Sequence, residues 1–245
     1  MSSRTFIALG SIVFGIFLAW LAAPFIFTHL PNDRDRIRDV VRIVQTQPKV
    51  AIVGNSVVMQ LGFPNLATPG QTIGESVMLA NELHGRVILV VTPWQLATPA
   101  TLNAQGWNAW WMYGFRPSAE TRALVAMPEL NDAMERFRSR WVVRAAFESA
   151  FARGKRNDEV WQGRERFAID ETQRKLIERI VARRDVVVVL APLSPIVRAH
   201  YGNWNVHFGR TIDATNLLQP NEFRDATHPT DAGARKLTTF IEEHL

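Results

Sequence analysis

The chain has 245 residues, no cysteine, and 28 basic against 23 acidic side chains for a net charge of +5. The missing cysteine excludes disulfides, thiolate zinc sites and cysteine nucleophiles, and leaves the compartment open. A hydrophobic content of 47% excludes wholesale disorder. The basic excess suits anionic lipid or polysaccharide, but without a dense Lys/Arg tract it gives no reason to expect nucleic acid.

In chain order, Phe6 to Phe27 carries no charge and, at about 1.5 Å per residue, is long enough to cross a hydrocarbon core. Residues 1–29 are therefore expected to be an uncleaved membrane anchor. A cleaved signal peptide, with small residues at Ala22-Ala23, is the competing reading. More arginines follow the segment than precede it, so the flanking charges do not decide topology. Residues 30–48 are a linker, in which Asp33 to Thr46 predicts an amphipathic helix with Ile37, Val40, Val41 and Val44 on one side. Residues 49–245 then suit one α/β domain of about two hundred residues.

The domain opens on Lys49 to Gly62, KVAIVGNSVVMQLG. Val50 to Val53 is a β-branched run of the kind that fills a buried strand. Gly54 and Asn55 are turn formers, Ser56 follows at once, and Val57 to Leu61 predicts one helical turn stopped by Gly62. A serine at this bend has its hydroxyl at the C-terminal edge of the sheet, where open α/β folds bind ligands. It is also a plausible helix N-cap, and the stretch alone does not separate the two readings.

A short second strand is expected over Asn65 to Gly70, a helix from about Thr72 to Leu83, and a third strand over Arg86 to Val91, closed by Thr92-Pro93. Residues 94–167 break the rhythm as a Trp-rich, mostly helical insertion containing Trp107, Trp110, Trp111, Tyr113 and Phe115. These aromatics form either a secondary core or a sugar-stacking or membrane-interface surface. Ile169 to Arg183 predicts a helix, Asp185 to Leu190 a fourth buried strand, and Arg210 to Leu218 a short fifth. Thr230 to Leu245 is the closing helix. Alternating strands and helices predict a parallel sheet with helices on both faces.

Just before that last helix stands Arg224-Asp225-Ala226-Thr227-His228-Pro229. An aspartate three residues ahead of a histidine can orient its imidazole, which can then deprotonate a serine brought beside it by the fold. Gly54-Asn55-Ser56 after the first strand, Asp225 and His228 before the final helix, and Gly233 beyond them together resemble the SGNH (GDSL-like) hydrolase superfamily. Asn55 departs from the usual aspartate of its first block. The resemblance implies a flavodoxin-like three-layer fold with Ser56 as nucleophile, His228 as general base and then acid, and Asp225 fixing the imidazole. It further implies oxyanion donors at the Ser56 amide and Gly70. The usual third donor is missing, because Val91-Thr92-Pro93-Trp94-Gln95 holds no Gly-x-Asn-Asp; Gln95 or Thr92 would have to serve.

The same loop resembles the strand-Pro-x-Lys segment of alginate-type O-acetylation proteins, with Gln95 where lysine often stands. Those proteins, and the D-alanyl transfer proteins of teichoic acid modification, are anchored or exported and move acyl groups on extracellular polymers. The resemblance thus implies an inner-membrane, single-pass protein with a periplasmic domain, a glycan substrate and a membrane protein that delivers the acyl group. Asn55, Trp94, Trp204 and His207 are candidate substrate contacts.

No His-Glu-x-x-His, P-loop or Gly-x-Gly-x-x-Gly appears, so neither a metal nor a cofactor is expected. Val58 breaks any Gly-x-Ser-x-Gly elbow around Ser56. Asp231 could pair with Asp225 but reads better as a helix-start residue. His200 and His207 flank Trp204 in a polar loop. The alternatives to a glycan acyltransferase or esterase are a small-ester or lipid esterase of the same fold, and a catalytically silent glycan-binding or assembly protein.

Overall fold

The computed structural model describes residues 31–68, 71–97, 118–124, 161, 167–202, 204 and 206–245, with isolated positions between 10 and 18. Its centre is a parallel sheet of β1 (Val50–Val53), β2 (Arg86–Val91), β3 (Val186–Leu190) and the short β4 (Thr211–Asp213), in that spatial order. Ile52 lies opposite Ile88, Leu89 opposite Val188, and Val189 opposite Ile212. The near-continuous apolar runs follow from burial on both faces, since parallel sheets are covered on each side.

Alternate residues divide into two cores. Ala51, Val53, Val87, Leu89 and Val188 face α2 (Ile73–Asn81) and α5 (Glu171–Arg183), meeting Val77, Leu176, Ile177 and Ile180; Val40 of α1 (Pro31–Thr46) joins them. Ile52, Ile88, Val90, Val187 and Val189 face α7 (Asp231–His244) through Ala234, Leu237 and Ile241. The result is three layers, in which each fully buried Val, Leu or Ile contributes about 1.5–3 kcal/mol. The helices start where side chains satisfy their first amides. Thr72 and Glu75 form a capping box on α2, Asp170 accepts from Thr172 and Gln173 on α5, and Thr230 accepts from Gly233 on α7.

The expected second strand is reduced to an isolated parallel bridge between Asn65 and Ile52. The Ile52 amide donates to the Pro64 carbonyl (2.9 Å), the Leu66 amide to the Ile52 carbonyl (2.8 Å), and the Thr68 amide to the Gly54 carbonyl (3.3 Å). Pro64 has no amide to extend the pairing. This ribbon lies on the edge of β1 away from β2, so the sheet has a flavodoxin-like order with the ribbon as its outer member. The chain leaves β1 to one side and returns to β2 on the other, which makes the C-terminal end of β1 the topological switch point.

Two short helices follow β2, α3 (Pro93–Ala97) and α4 (Ala119–Leu124), and α6 (Pro195–Tyr201) follows β3. The only sequence signal for α6 is Ser194 ahead of Pro195, a helix-start pair. Trp107, Trp110, Trp111, Tyr113 and Phe115 lie outside the described residues. So does most of Phe6–Phe27, within which Phe14, Phe17 and Leu18 are helical and exposed. Among the described residues no helix is long and apolar enough to cross a membrane.

Candidate active site

At the end of β1 the chain turns sharply. A β-carbon on Gly54 would meet Val58 Cγ2 at 2.9 Å and the Val90 carbonyl at 3.1 Å, so the bend fits against the sheet only without a side chain. Asn55 is buried and caps the following one-turn 3-10 helix, Ser56–Val58, its Oδ1 accepting the Val57 amide at 3.1 Å. The helical turn expected over Val57 to Leu61 is therefore shorter and tighter than predicted. The cap is Asn55, not Ser56, and the serine hydroxyl is left to other work. As the first residue of the turn, Ser56 has an amide with no acceptor inside the helix.

The second half of the site is the loop between the 3-10 turn Pro220–Glu222 and α7. Phe223 and Pro229 bridge antiparallel, the Arg224 amide donates to the His228 carbonyl (2.9 Å), and the Thr230 amide donates to the Glu222 carbonyl (2.8 Å). Inside this clamp Asp225 Oδ1 accepts the amides of Thr227 (2.9 Å) and His228 (2.8 Å). The buried Ser194 hydroxyl donates to the Ala226 carbonyl and ties the loop to the chain leaving β3. A β-carbon on Gly233 would come within 2.5 Å of the Glu222 carbonyl, so α7 can approach the loop this closely only with glycine there.

The two halves meet in a row of hydrogen bonds. His228 Nε2 is 2.9 Å from Ser56 Oγ, and His228 Nδ1 is 3.0 and 2.9 Å from Asp225 Oδ1 and Oδ2. Partial burial of Asp225 works against its charge, but the amides of Thr227 and His228 and the His228 ring outweigh it and hold the carboxyl below the ordinary aspartate value. An ionised Asp225 accepts from Nδ1–H, which leaves the Nε2 lone pair facing the serine hydroxyl. That is the arrangement in which imidazole acts as a general base toward a nucleophile and later as an acid toward a leaving group.

The other expected site residues fare differently. Gly70 lies outside the described residues. Gln95 is buried and turned into the fold, its Nε2 donating to the Gln71 carbonyl at 2.6 Å and its Oε1 accepting from Thr92. It braces the loop after β2. Asn55 is only 5% exposed and engaged with Val57 and Thr92. Trp204 is a core residue, its ring edge-on to Phe167 at 5.7 Å. His207 is exposed, and His200 is buried edge-on to Tyr201 at 4.7 Å. Trp94 is half-buried beside Trp161, with ring centroids 5.2 Å apart.

Sequence reasoning missed Gln71, whose Oε1 accepts the Gly54 amide (2.9 Å) and the Ser76 hydroxyl (2.9 Å) and whose Nε2 donates to the Leu66 carbonyl (2.9 Å). A glutamine just ahead of a helix carries no motif, so nothing in the sequence marked it. Among the described residues no cluster of three or more His, Asp or Glu is arranged to hold a metal. No family model matches the chain, and no curated protein matches it.

Proposed function

We propose that this chain is a serine-dependent acyltransferase or esterase of the SGNH type, acting through an acyl-serine intermediate on an extracytoplasmic polysaccharide. The observation that carries the reading is the continuous row from Ser56 Oγ through His228 to the Asp225 carboxylate. In the first step Ser56 Oγ bonds to the acyl carbonyl carbon while its proton passes to His228 Nε2. The carbon–oxygen bond to the leaving alcohol then breaks, and His228 returns the proton to that alcohol. A glycan hydroxyl or water repeats the sequence in reverse to release the acyl group, so transfer and hydrolysis share everything but the acceptor. No cofactor or metal is needed for either.

The Gly-Asn-Ser and Asp-x-x-His blocks support the SGNH assignment, as does the position of Ser56 at the switch point of a flavodoxin-like sheet. Acetyl is the acyl group and a membrane protein the donor by resemblance to the O-acetylation proteins. By the same resemblance, Phe6–Phe27 is the inner-membrane anchor and the domain is periplasmic. Against a silent binding protein stands the serine hydroxyl itself, which faces the imidazole instead of capping its own turn.

The test is labelling of the full chain with a fluorophosphonate probe, wild type beside Ser56→Ala and His228→Ala. We expect a labelled wild type and loss of label in both variants with unchanged circular dichroism. Label retained by Ser56→Ala, or none on a folded wild type, would overturn the reading.

A further inference from the structure

The mechanism needs the Ser56 amide and hydroxyl at a fixed pitch, and the turn's own hydrogen bonds hold the Asn55 carbonyl and Oδ1 but reach neither the Gly54 amide nor the Asn55 side-chain nitrogen. We infer that Thr92, oriented by Gln95, is a positioning residue for the nucleophile, acting through the Asn55 side chain. The inference rests on the serine-enzyme reading above. Asn55 Nδ2 donates to Thr92 Oγ1 at 3.3 Å, and Thr92 Oγ1 donates to Gln95 Oε1 at 2.8 Å. Gln95 Oε1 also accepts the Thr92 amide at 3.1 Å, while Gln95 Nε2 donates to the Gln71 carbonyl at 2.6 Å. All four side chains are buried: Asn55 and Gln95 are 5% and 8% exposed, Gln71 2% and Thr92 0%.

The direction of this relay is set by proton count. A hydroxyl has one proton, and that of Thr92 goes to Gln95, whose oxygen can only accept. The Thr92 oxygen is therefore left to accept, and the only Asn55 group that can face it is the amide nitrogen. That orientation turns Asn55 Oδ1 toward the Val57 amide, the bond that caps the Ser56 turn. On the other flank Gln71 Oε1 holds the Gly54 amide, so the chain ahead of Ser56 is held through the Gly54 backbone on one side and through the Asn55 side chain on the other. The same grip fixes where the Ser56 amide points, and an oxyanion donor is useful only when aimed before the charge develops. In a chain that lacks the third donor of the resembled family, the aim of the Ser56 amide matters more.

The test compares Thr92→Val, which keeps the shape and removes the hydroxyl, with Thr92→Ser, which restores it. The readouts are the rate of fluorophosphonate labelling per folded molecule, hydrolysis of a p-nitrophenyl acetate probe, and the pH dependence of both. Thr92→Val should slow labelling and lower kcat roughly ten- to a hundredfold with KM little changed, the cost of a misaimed reacting group. The pH midpoint should not move, because His228 and Asp225 are untouched. Thr92→Ser should recover to within about threefold of wild type. A folded Thr92→Val that labels at the wild-type rate, or a Thr92→Ser as slow as Thr92→Val, would overturn the inference while leaving the Ser56 reading intact. Should Thr92→Val fold poorly, Gln95→Met removes the oxygen that takes the Thr92 proton, and a wild-type rate in that folded variant would equally count against the relay. Failure of Ser56→Ala to abolish labelling would instead remove the reading beneath it.

Discussion

Asp225 and His228 organise each other within one short loop, whereas Ser56 stands on a turn whose supports lie 17 and 37 residues further along the chain, at Gln71 and Thr92. In the loop one carboxylate does two things: it accepts two backbone amides, which fixes the turn, and it faces Nδ1, which fixes the ring. At the serine, these tasks are divided among Asn55, Thr92, Gln95 and Gln71. A base built locally can be carried by a four-residue motif, but a nucleophile aimed by tertiary contacts cannot.

The largest effect expected within this comparison comes from Asp225→Asn. The oxygen that caps Thr227 and His228 survives, but an amide nitrogen now competes for Nδ1, and the imidazole is pushed toward the wrong tautomer. The rate of probe hydrolysis should fall about 10³- to 10⁴-fold with little change in KM. Asp225→Ala should match that loss and also lower the melting temperature, because it removes the cap; caps of this kind contribute about 1 kcal/mol. Equal melting temperatures for the two variants would mean that the capping oxygen does not hold the loop.

That division also explains what could be read from the chain beforehand. Val50–Val53, Arg86–Val91 and Val186–Leu190 were legible because buried parallel strands are written as unbroken apolar runs. Asp225 and His228 were legible because their partnership is local, and Gly233 marked where α7 crowds the loop. Asn65 to Gly70 was read as a strand from its composition, but pairing depends on a neighbour's amides and Pro64 supplies none. Gln95 was assigned to the site because it follows β2, yet the direction its amide takes is decided by Gln71, a residue with no signature of its own.

Gly233→Ala attacks the loop from outside. The β-carbon would meet the Glu222 carbonyl oxygen at 2.5 Å, with Leu218 Cδ1 and Pro229 Cβ each at 3.2 Å, and the backbone oxygen has little room to yield. Overpacking of this order costs about 1–3 kcal/mol, or roughly 2–4 °C in Tm for each kcal/mol in a domain of this size. Probe labelling should slow as well, because the Glu222 carbonyl anchors Thr230 and the end of the His228 loop. A variant with wild-type stability and labelling would show that the loop can shift without disturbing the base.

The acid limb of stability gives a finer test. Asp225 has its pKa lowered in the folded chain from an ordinary value of 3.8. Its stabilising contribution is therefore complete above that value and is lost as pH falls through the lower folded value. The difference in Tm between wild type and Asp225→Asn should be largest near neutrality and should shrink as the pH drops below about 4. A difference that stays constant down to pH 2.5 would assign the effect to packing and not to charge.

Arg224 separates the two remaining sources of that charge effect. Its Nε lies 4.0 Å from Asp225 Oδ2, with side chains 52% and 32% exposed, so by distance alone it could be credited with holding the carboxylate ionised. Exposed pairs at this range are screened by water and salt and contribute little. The groups that lower the Asp225 pKa are the amides of Thr227 and His228 and the imidazole. Arg224→Ala should therefore leave both the probe hydrolysis rate and the acid transition within experimental error, at low and at high salt. A transition displaced upward in the variant, with the displacement abolished by salt, would mean that the loop is less self-sufficient than its hydrogen bonds suggest and that its aspartate leans on the surface for its charge.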